Sequence, residues 1–170
     1  PRPNVTLTAA QASHAVDAIT TELGKATTPM EKAQLFQKLG LVLMGMNQIE
    51  QARVAATKAA RAYKLEGQLT GLGQCYELLA SLAEKRGNLD VARDWMSHAI
   101  ETWHQVGVEE RVAECHAKKG HLSYVMRDRE TAAQQFQLAI EIDEALGNKS
   151  KVSAGLRRLG MMAEDEQKFK

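Results

Sequence analysis

Aromatic residues are scarce in this chain, with two Trp, three Tyr and three Phe among 170 residues. A core made without them falls to Ala, Leu, Ile, Val and Met. Surrounded by Glu, Lys, Gln and Arg, such residues favour helices, because they lose little freedom there. Three prolines are too few for a collagen-like or disordered composition. Two cysteines, Cys75 and Cys115, cannot make a disulfide framework. Neither sign of charge prevails: 22 basic residues against 21 acidic ones leave +1. A protein that grips nucleic acid usually carries a clustered basic surplus; none is visible, so neither nucleic acid nor an anionic membrane is expected as a partner. No apolar run approaches the ~20 residues of a membrane-spanning helix. There is no signal-peptide pattern, and a start on Pro1 rather than Met reads as trimmed or processed. What remains, 44% apolar and 25% charged residues, is ordinary for one globular domain.

The positive signal is an internal repeat. When the sequence is shifted against itself so that position 31 meets 71 and 111, segments 31–70, 71–110 and 111–150 align without a gap, and 151–170 opens a fourth unit. Gly67, Gly107 and Gly147 recur in phase, as do Ala52, Ala92 and Ala132, then Ala59, Ala99 and Ala139. Gly40, Ala80, Gly120 and Gly160 share one small-residue position, and Cys75 and Cys115 share another. Each unit reads as two helices. Leu35, Leu39 and Val42 fall on one face of the first; Ala92, Met96, Ala99, Trp103 and Val106 fall on one face of the second. Helix starts are expected at Asn47 (with Glu50 three later), Asn88 and Asp128. Thr28-Pro29 with Glu31 gives another: an N-cap, a first-turn proline and a capping-box acid. The three in-phase glycines sit where a helix C-terminus wants a left-handed residue.

The phase extends both ways. Ala12, Val16 and Ile19 lie one period before Ala52, Ala56 and Ala59, so 8–28 reads as the second half of an earlier unit. The expected organisation is an extended segment 1–7 and a single domain 8–170. Within it, repeats at 29–68, 69–108 and 109–148 precede a terminal capping helix at 149–168. That makes an all-α solenoid of stacked antiparallel pairs, about eight helices of roughly four to five turns each. Stacking is obligatory, because one pair cannot bury its apolar stripe alone. Small recurring residues permit close approach of helices, so Ala92→Leu or Gly120→Leu is expected to cost ~1–3 kcal/mol by overpacking.

The residues resemble the tetratricopeptide repeat, whose motif is W-x2-L-G-x2-Y followed by A-x3-F-x2-A. The first unit offers Phe36, Leu39, Gly40 and Leu43, then Ala52, Ala56 and Ala59. The second has Tyr76, Leu79, Ala80 and Ala83, then Ala92, Met96 and Ala99. The third has His116, Gly120 and Ser123, then Ala132, Phe136 and Ala139, with Lys119 at the Leu position. Leu156, Leu159, Gly160 and Ala163 follow in the last helix, so the resemblance covers about 8–168. The family's terminal proline is missing, and the period is 40 rather than about 34. The extra residues are expected to lengthen the second helix and its turn.

The resemblance implies a right-handed superhelix that holds a peptide or helix of a partner protein in a concave groove lined by first helices. The groove positions carried over are Gln37, Leu41 and Met44 (with Gln34), then Gln74, Glu77, Ser81 and Glu84 (with Lys85). Glu114, His121 and Tyr124 (with Ala117), then Arg157 and Met161 (with Asp165), complete them. Three glutamates near the middle imply a ligand with apolar anchors and some basic character. The same glutamates also read as solvated helix surface, and Met44 and Tyr124 as core. The Lys/Asn clamp of chaperone-binding members is absent: Gln37, Glu77, Ala117, Leu41, Ser81 and His121 stand at those positions.

Other constellations carry less. Equivalent sites in stacked repeats lie about 9–10 Å apart, beyond the ~7 Å Cα separation of a disulfide. Cys75 and Cys115 therefore read as small buried hydrophobes. Cys115, His116 and His121 lack ligand spacing on one helical face, so no metal is expected. Hydrolase, phosphate-loop and dinucleotide motifs are absent, and neither catalysis nor a cofactor is expected. Trp103 shares a packing column with Tyr63, whereas Trp95, aligned with Ala55 and Gln135, reads as partly exposed. The leading reading is a groove-binding adaptor, with the cytoplasm as default compartment. A rival is a self-associating scaffold that stacks through repeat ends or the convex face. Arg157, Arg158, Glu164, Asp165 and Glu166 suggest a solvated cap. Phe169, however, stands where Ile49 and Leu89 open a second helix, so the natural chain is expected to continue.

Overall fold

The computed structural model describes residues 8–168, with side chains as far as Glu164. The segment 1–7, the side chains of Asp165 and Glu166, and Phe169 lie outside the described residues. Eight helices follow one another: α1 (Ala9–Lys25), α2 (Pro29–Gly45), α3 (Ile49–Leu65), α4 (Leu69–Lys85), α5 (Leu89–Val106), α6 (Glu109–Val125), α7 (Arg129–Ala145) and α8 (Lys149–Lys168). Each packs against its neighbours in sequence, most intimately within the pairs α2–α3, α4–α5 and α6–α7. The helices α2, α4, α6 and α8 are the first helices of successive units; α1, α3, α5 and α7 are the second. The longer period is not confined to second helices. α2, α4 and α6 have 17 residues, as do α3 and α7, so the added length is shared between the halves.

The turns have a period of half a unit. Positive φ occurs at the evenly spaced positions Asn47, Gly67, Gly87, Gly107, Arg127 and Gly147. In each case the next amide reaches back to a carbonyl of the last helical turn: Gln48 to Leu43, Gln68 to Tyr63, Asn88 to Ala83, Val108 to Trp103, Asp128 to Ser123 and Asn148 to Asp143. This wrap satisfies carbonyls that a helix end leaves without partners. Asn47 is therefore not a helix start. It ends α2 at φ 60°, a conformation that asparagine tolerates better than most residues. Gln48 is the N-cap of α3 and makes no side-chain cap bond; Asn88 takes the N-cap position of α5 and makes none either. At α7 the expectation holds, because Asp128 accepts from the Thr131 amide. Thr28 and Glu31 form the full capping box on α2.

Small residues set the spacing. α3 lies between α2 and α4 and buries Ala52, Ala55, Ala56, Ala59 and Ala60. A Cβ on Gly40 would come within 3.2 Å of Leu78 and 3.3 Å of the Ala52 carbonyl; one on Gly120 would meet the Phe136 ring at 2.9 Å. Gly160, at the same repeat position, meets nothing within 4 Å. Between these contacts Leu72, Leu78, Leu79 and Leu82 of α4 fill the centre; fully burying a side chain of this size contributes about 1.5–3 kcal/mol. Trp103 is buried, as its column suggests. Trp95 is partly exposed, as its own column suggests, and stacks on Tyr76 with ring centroids 5.5 Å apart, which ties α5 to α4.

Candidate functional site

A polar ladder joins the first helices. Gln37 of α2 donates to Gln74 of α4 at 2.7 Å. Glu77 of α4 receives Arg111 and Lys118 of α6 at 2.5 and 3.0 Å. Glu114 of α6 receives Lys151 of α8 at 3.0 Å, and Arg111 also reaches Glu114 at 2.8 Å. Lys151 extends to Glu110 at 2.7 Å. α2, α4, α6 and α8 thus share one face, and each rung ties one unit to the next.

Glu77 is the centre of this ladder. It is only 6% exposed, and in addition to the two cations it accepts a hydrogen bond from Trp103 Nε1 at 2.9 Å. The Arg111 guanidinium lies over the same indole, 5.4 Å from the ring centroid. A buried carboxylate needs such neighbours, since desolvation without them costs several kcal/mol. Burial alone would lower the Arg111 pKa, but the charges of Glu77 and Glu114 outweigh it and raise the pKa. The hydrogen bond to Glu110, the largest cause, raises that of Lys151.

Beside the ladder lies a pocket of about 520 Å³ between α4, α6 and α8. Its floor comes from Met96, Leu122, Phe136 and Ile140, and the small side chain of Ala117 leaves it open. Gly155 makes room for Ile140, which a Cβ there would meet at 2.5 Å. Charged groups stand around it: Glu84, Glu114, Lys118, Asp143, Lys151 and Arg158, together with His121.

The groove positions carried over from the sequence divide into several groups. Ser81, Glu84, Glu114 and His121 line the pocket; Ser81 donates to the Glu77 carbonyl at 3.0 Å. Glu77 does not line it, and the positive groups around Glu77 and Glu114 neutralise the acidic character that the sequence suggested. Gln37 and Gln74 form a rung of the ladder, and Gln37 also accepts from Tyr63 Oη at 2.8 Å. Leu41 and Met161 are exposed, at 48% and 59%, and Arg157 is exposed too, all outside the pocket. Met44 and Tyr124 are half-buried against core clusters. The sequence reading missed Arg111, Lys118 and Lys151 as ladder cations and Arg158 as the pocket's α8 wall. A signal was present: Tyr63 and Trp103 share one column, and Gln37 and Glu77 share another.

Among the described residues no group of three or more His, Cys, Asp or Glu side chains is placed to hold a metal ion. Cys75 and Cys115 are buried and unpaired, and burial pushes both thiols up to about 12. No described helix is long and apolar enough to cross a membrane.

Eight helices packed in sequence, helix pairs that recur with the period of the sequence and a shared first-helix face define an all-α solenoid of the tetratricopeptide type. Solved structures agree. The apo form of RapI superposes with a TM-score of 0.84 at 20% identity, over 98% of this chain and 60% of that one. A Rap protein complexed with Competence and Sporulation Factor gives 0.71 at 20% identity, over 93% and 45%. MamA gives 0.62 at 16% identity, over 94% and 92%. The chain thus spans 45% to 60% of the length of these Rap structures. At these identities the likeness defines the fold. No protein-family model matches the chain, and no curated protein matches it.

Proposed function

We propose that this chain is a protein–protein interaction module without catalytic activity, and that it holds a peptide or helix of another protein against its first-helix face. The pocket between α4, α6 and α8 carries this reading: it joins an apolar floor to charged walls on the face where the helices form a continuous row. Such a combination suits recognition, the floor supplying burial and the walls orientation. The Rap protein complexed with Competence and Sporulation Factor is consistent with ligand binding by this fold. Unactivated, buried thiols support the non-catalytic part of the proposal, since the thiolate is the nucleophile.

Affinity capture from a native extract tests the proposal, with wild type compared against a Glu84→Lys/His121→Glu variant of unchanged helicity. Both changes lie on exposed groups of the pocket wall. A partner held by wild type and lost by the variant supports groove binding; partners retained equally by both would move the site off this face.

Self-association is the second reading, and the outer face of α8 favours it. Leu156 is 54% exposed, where its repeat equivalents Phe36, Tyr76 and His116 are half-buried, and Gly160 lacks the helix contact that Gly40 makes. Sedimentation velocity over a hundredfold concentration range decides it; a concentration-independent monomer sinks this reading.

A further inference from the structure

The pocket lies where two side chains of the repeating frame are missing. In the first unit a ring on the second helix donates to the first helix, from Tyr63 Oη to Gln37 Oε1 at 2.8 Å. In the second unit the equivalent pair is Trp103 Nε1 and Glu77 Oε1, at 2.9 Å. One unit further on, those positions hold Asp143 and Ala117. Both line the 520 Å³ pocket, so the space that an indole and a glutamate occupy in one unit stands open in the next.

The cations of the frame have not been lost with their partners. Arg111 and Lys118, which answer Glu77, correspond to Lys151 and Arg158. Lys151 has turned to Glu110 and Glu114. Arg158 has no carboxylate partner among the described residues and stands 5.8 Å from the centroid of the Phe136 ring. The carboxylate that its position would meet, by analogy with Lys118 and Glu77, is truncated to the methyl of Ala117.

We propose that this pocket receives an aromatic side chain and an adjacent carboxylate from a partner peptide, which replace the missing equivalents of Trp103 and Glu77; this rests on the groove-binding reading above. The ring covers the floor of Met96, Leu122, Phe136 and Ile140, and the carboxylate pairs with Arg158. Asp143 directs the polarity. It is 6% exposed, and one of its oxygens already accepts from Asn148 Nδ2 at 3.1 Å. It repels an acid from the α7 side of the pocket and offers its other oxygen to an indole or backbone N–H. The ligand acid is thereby sent to the α8 wall.

Isothermal titration with acetyl-Ala-Trp-Glu-Ala-amide tests the assignment, alongside the same peptide with Gln for Glu or with Ala for Trp. The Trp-Glu peptide binds, and each replacement weakens it by about tenfold or more. Arg158→Gln imposes a similar loss on the Trp-Glu peptide but leaves the Trp-Gln peptide unchanged. Ala117→Glu/Asp143→Trp restores the frame's own pair and removes binding. If that double variant does not fold, Arg158→Gln, a change at an exposed position, decides alone. Failure of the Trp-Glu peptide to bind, equal binding of the three peptides, or indifference to Arg158→Gln overturns the inference. A partner captured from extract that Glu84→Lys/His121→Glu releases, but Arg158→Gln retains, would leave groove binding standing and overturn this ligand class alone.

Discussion

At the scale of single residues, the six left-handed turns show how one backbone requirement is met by unlike chemistry. Glycine supplies four of them, asparagine one and Arg127 the last, at φ 63°. An L side chain there brings its Cβ too close to the following carbonyl, at roughly 1–2 kcal/mol per residue. Arg127→Gly should therefore stabilise the fold by about 0.5–1 kcal/mol, less than the full strain because glycine also gains freedom in the unfolded chain. Gly67→Ala, at φ 67°, should cost a similar amount; chemical denaturation of both variants measures the pair, and equal midpoints would refute the argument. The sequence displayed only half of this pattern. Gly67, Gly107 and Gly147 stand one period apart, but the intervening turns are Asn47, Gly87 and Arg127, and nothing about an arginine announces positive φ. A second residue-scale effect concerns His116, whose pKa is lowered by burial, with the Gln135 hydrogen bond at 2.8 Å opposing. The fold thus favours the neutral ring. That contribution is complete above the unfolded value near 6.5 and is lost as pH falls toward the lower folded value, since the unfolded chain then binds more protons. Thermal midpoints of wild type should decline from pH 7 to pH 5, and His116→Gln should flatten the decline.

At the scale of helices, the repeat position shared by Gly40, Ala80, Gly120 and Gly160 separates sequence phase from physical role. A Cβ on Gly120 meets the Phe136 ring at 2.9 Å and the Ala132 carbonyl at 3.2 Å, whereas one on Gly160 meets nothing. Gly120→Leu should cost about 1–3 kcal/mol through overpacking. The same change at Gly160 should stay within about 0.5 kcal/mol, as expected for a position without close neighbours. Urea denaturation compares them directly, and equal losses would mean that α8 is covered as α2 and α6 are. The fold was largely legible because the spacing of small residues states which helix faces touch. The candidate site was less so, since it depends on pairs between units. Glu77 reads in sequence as a surface acid; only the arrival of Arg111, Lys118 and Trp103, from 26 to 41 residues away, makes it a buried hub. Ser81, Glu84, Glu114 and His121 line the pocket because the tetratricopeptide resemblance assigns this face to the first helices, and the helical register then picks out the positions on it. Arg157 and Arg158 point differently although adjacent, and one step around a helix turns a side chain by about 100°.

At the scale of the whole molecule, backbones approach closely almost only between helices adjacent in sequence, with the side-chain ladder linking the first helices of successive units. Stability is therefore a chain of local interfaces rather than one shared core. Such a chain opens from its ends, because a terminal helix has one interface to lose and an internal helix has two. The burial pattern follows this gradient. α4 buries eight residues, including Leu72, Leu78, Leu79 and Leu82, whereas α1 buries Ala12 alone. At the other end Met162 is the one hydrophobic side chain of α8 buried among the described residues. The charged rungs reinforce the middle as well, since Glu77 ties α4 to both α5 and α6. Amide hydrogen exchange should therefore show the slowest opening in α4 and α5 and the fastest in α1 and α8, with α2, α3, α6 and α7 graded between them. The pocket straddles this gradient, with one wall on α4 and the other on α8. Binding at Arg158 should then slow exchange in α8 more than in α4, because a ligand stabilises most the element that opens without it. Uniform protection across all eight helices would show instead that the array unfolds as a single cooperative unit.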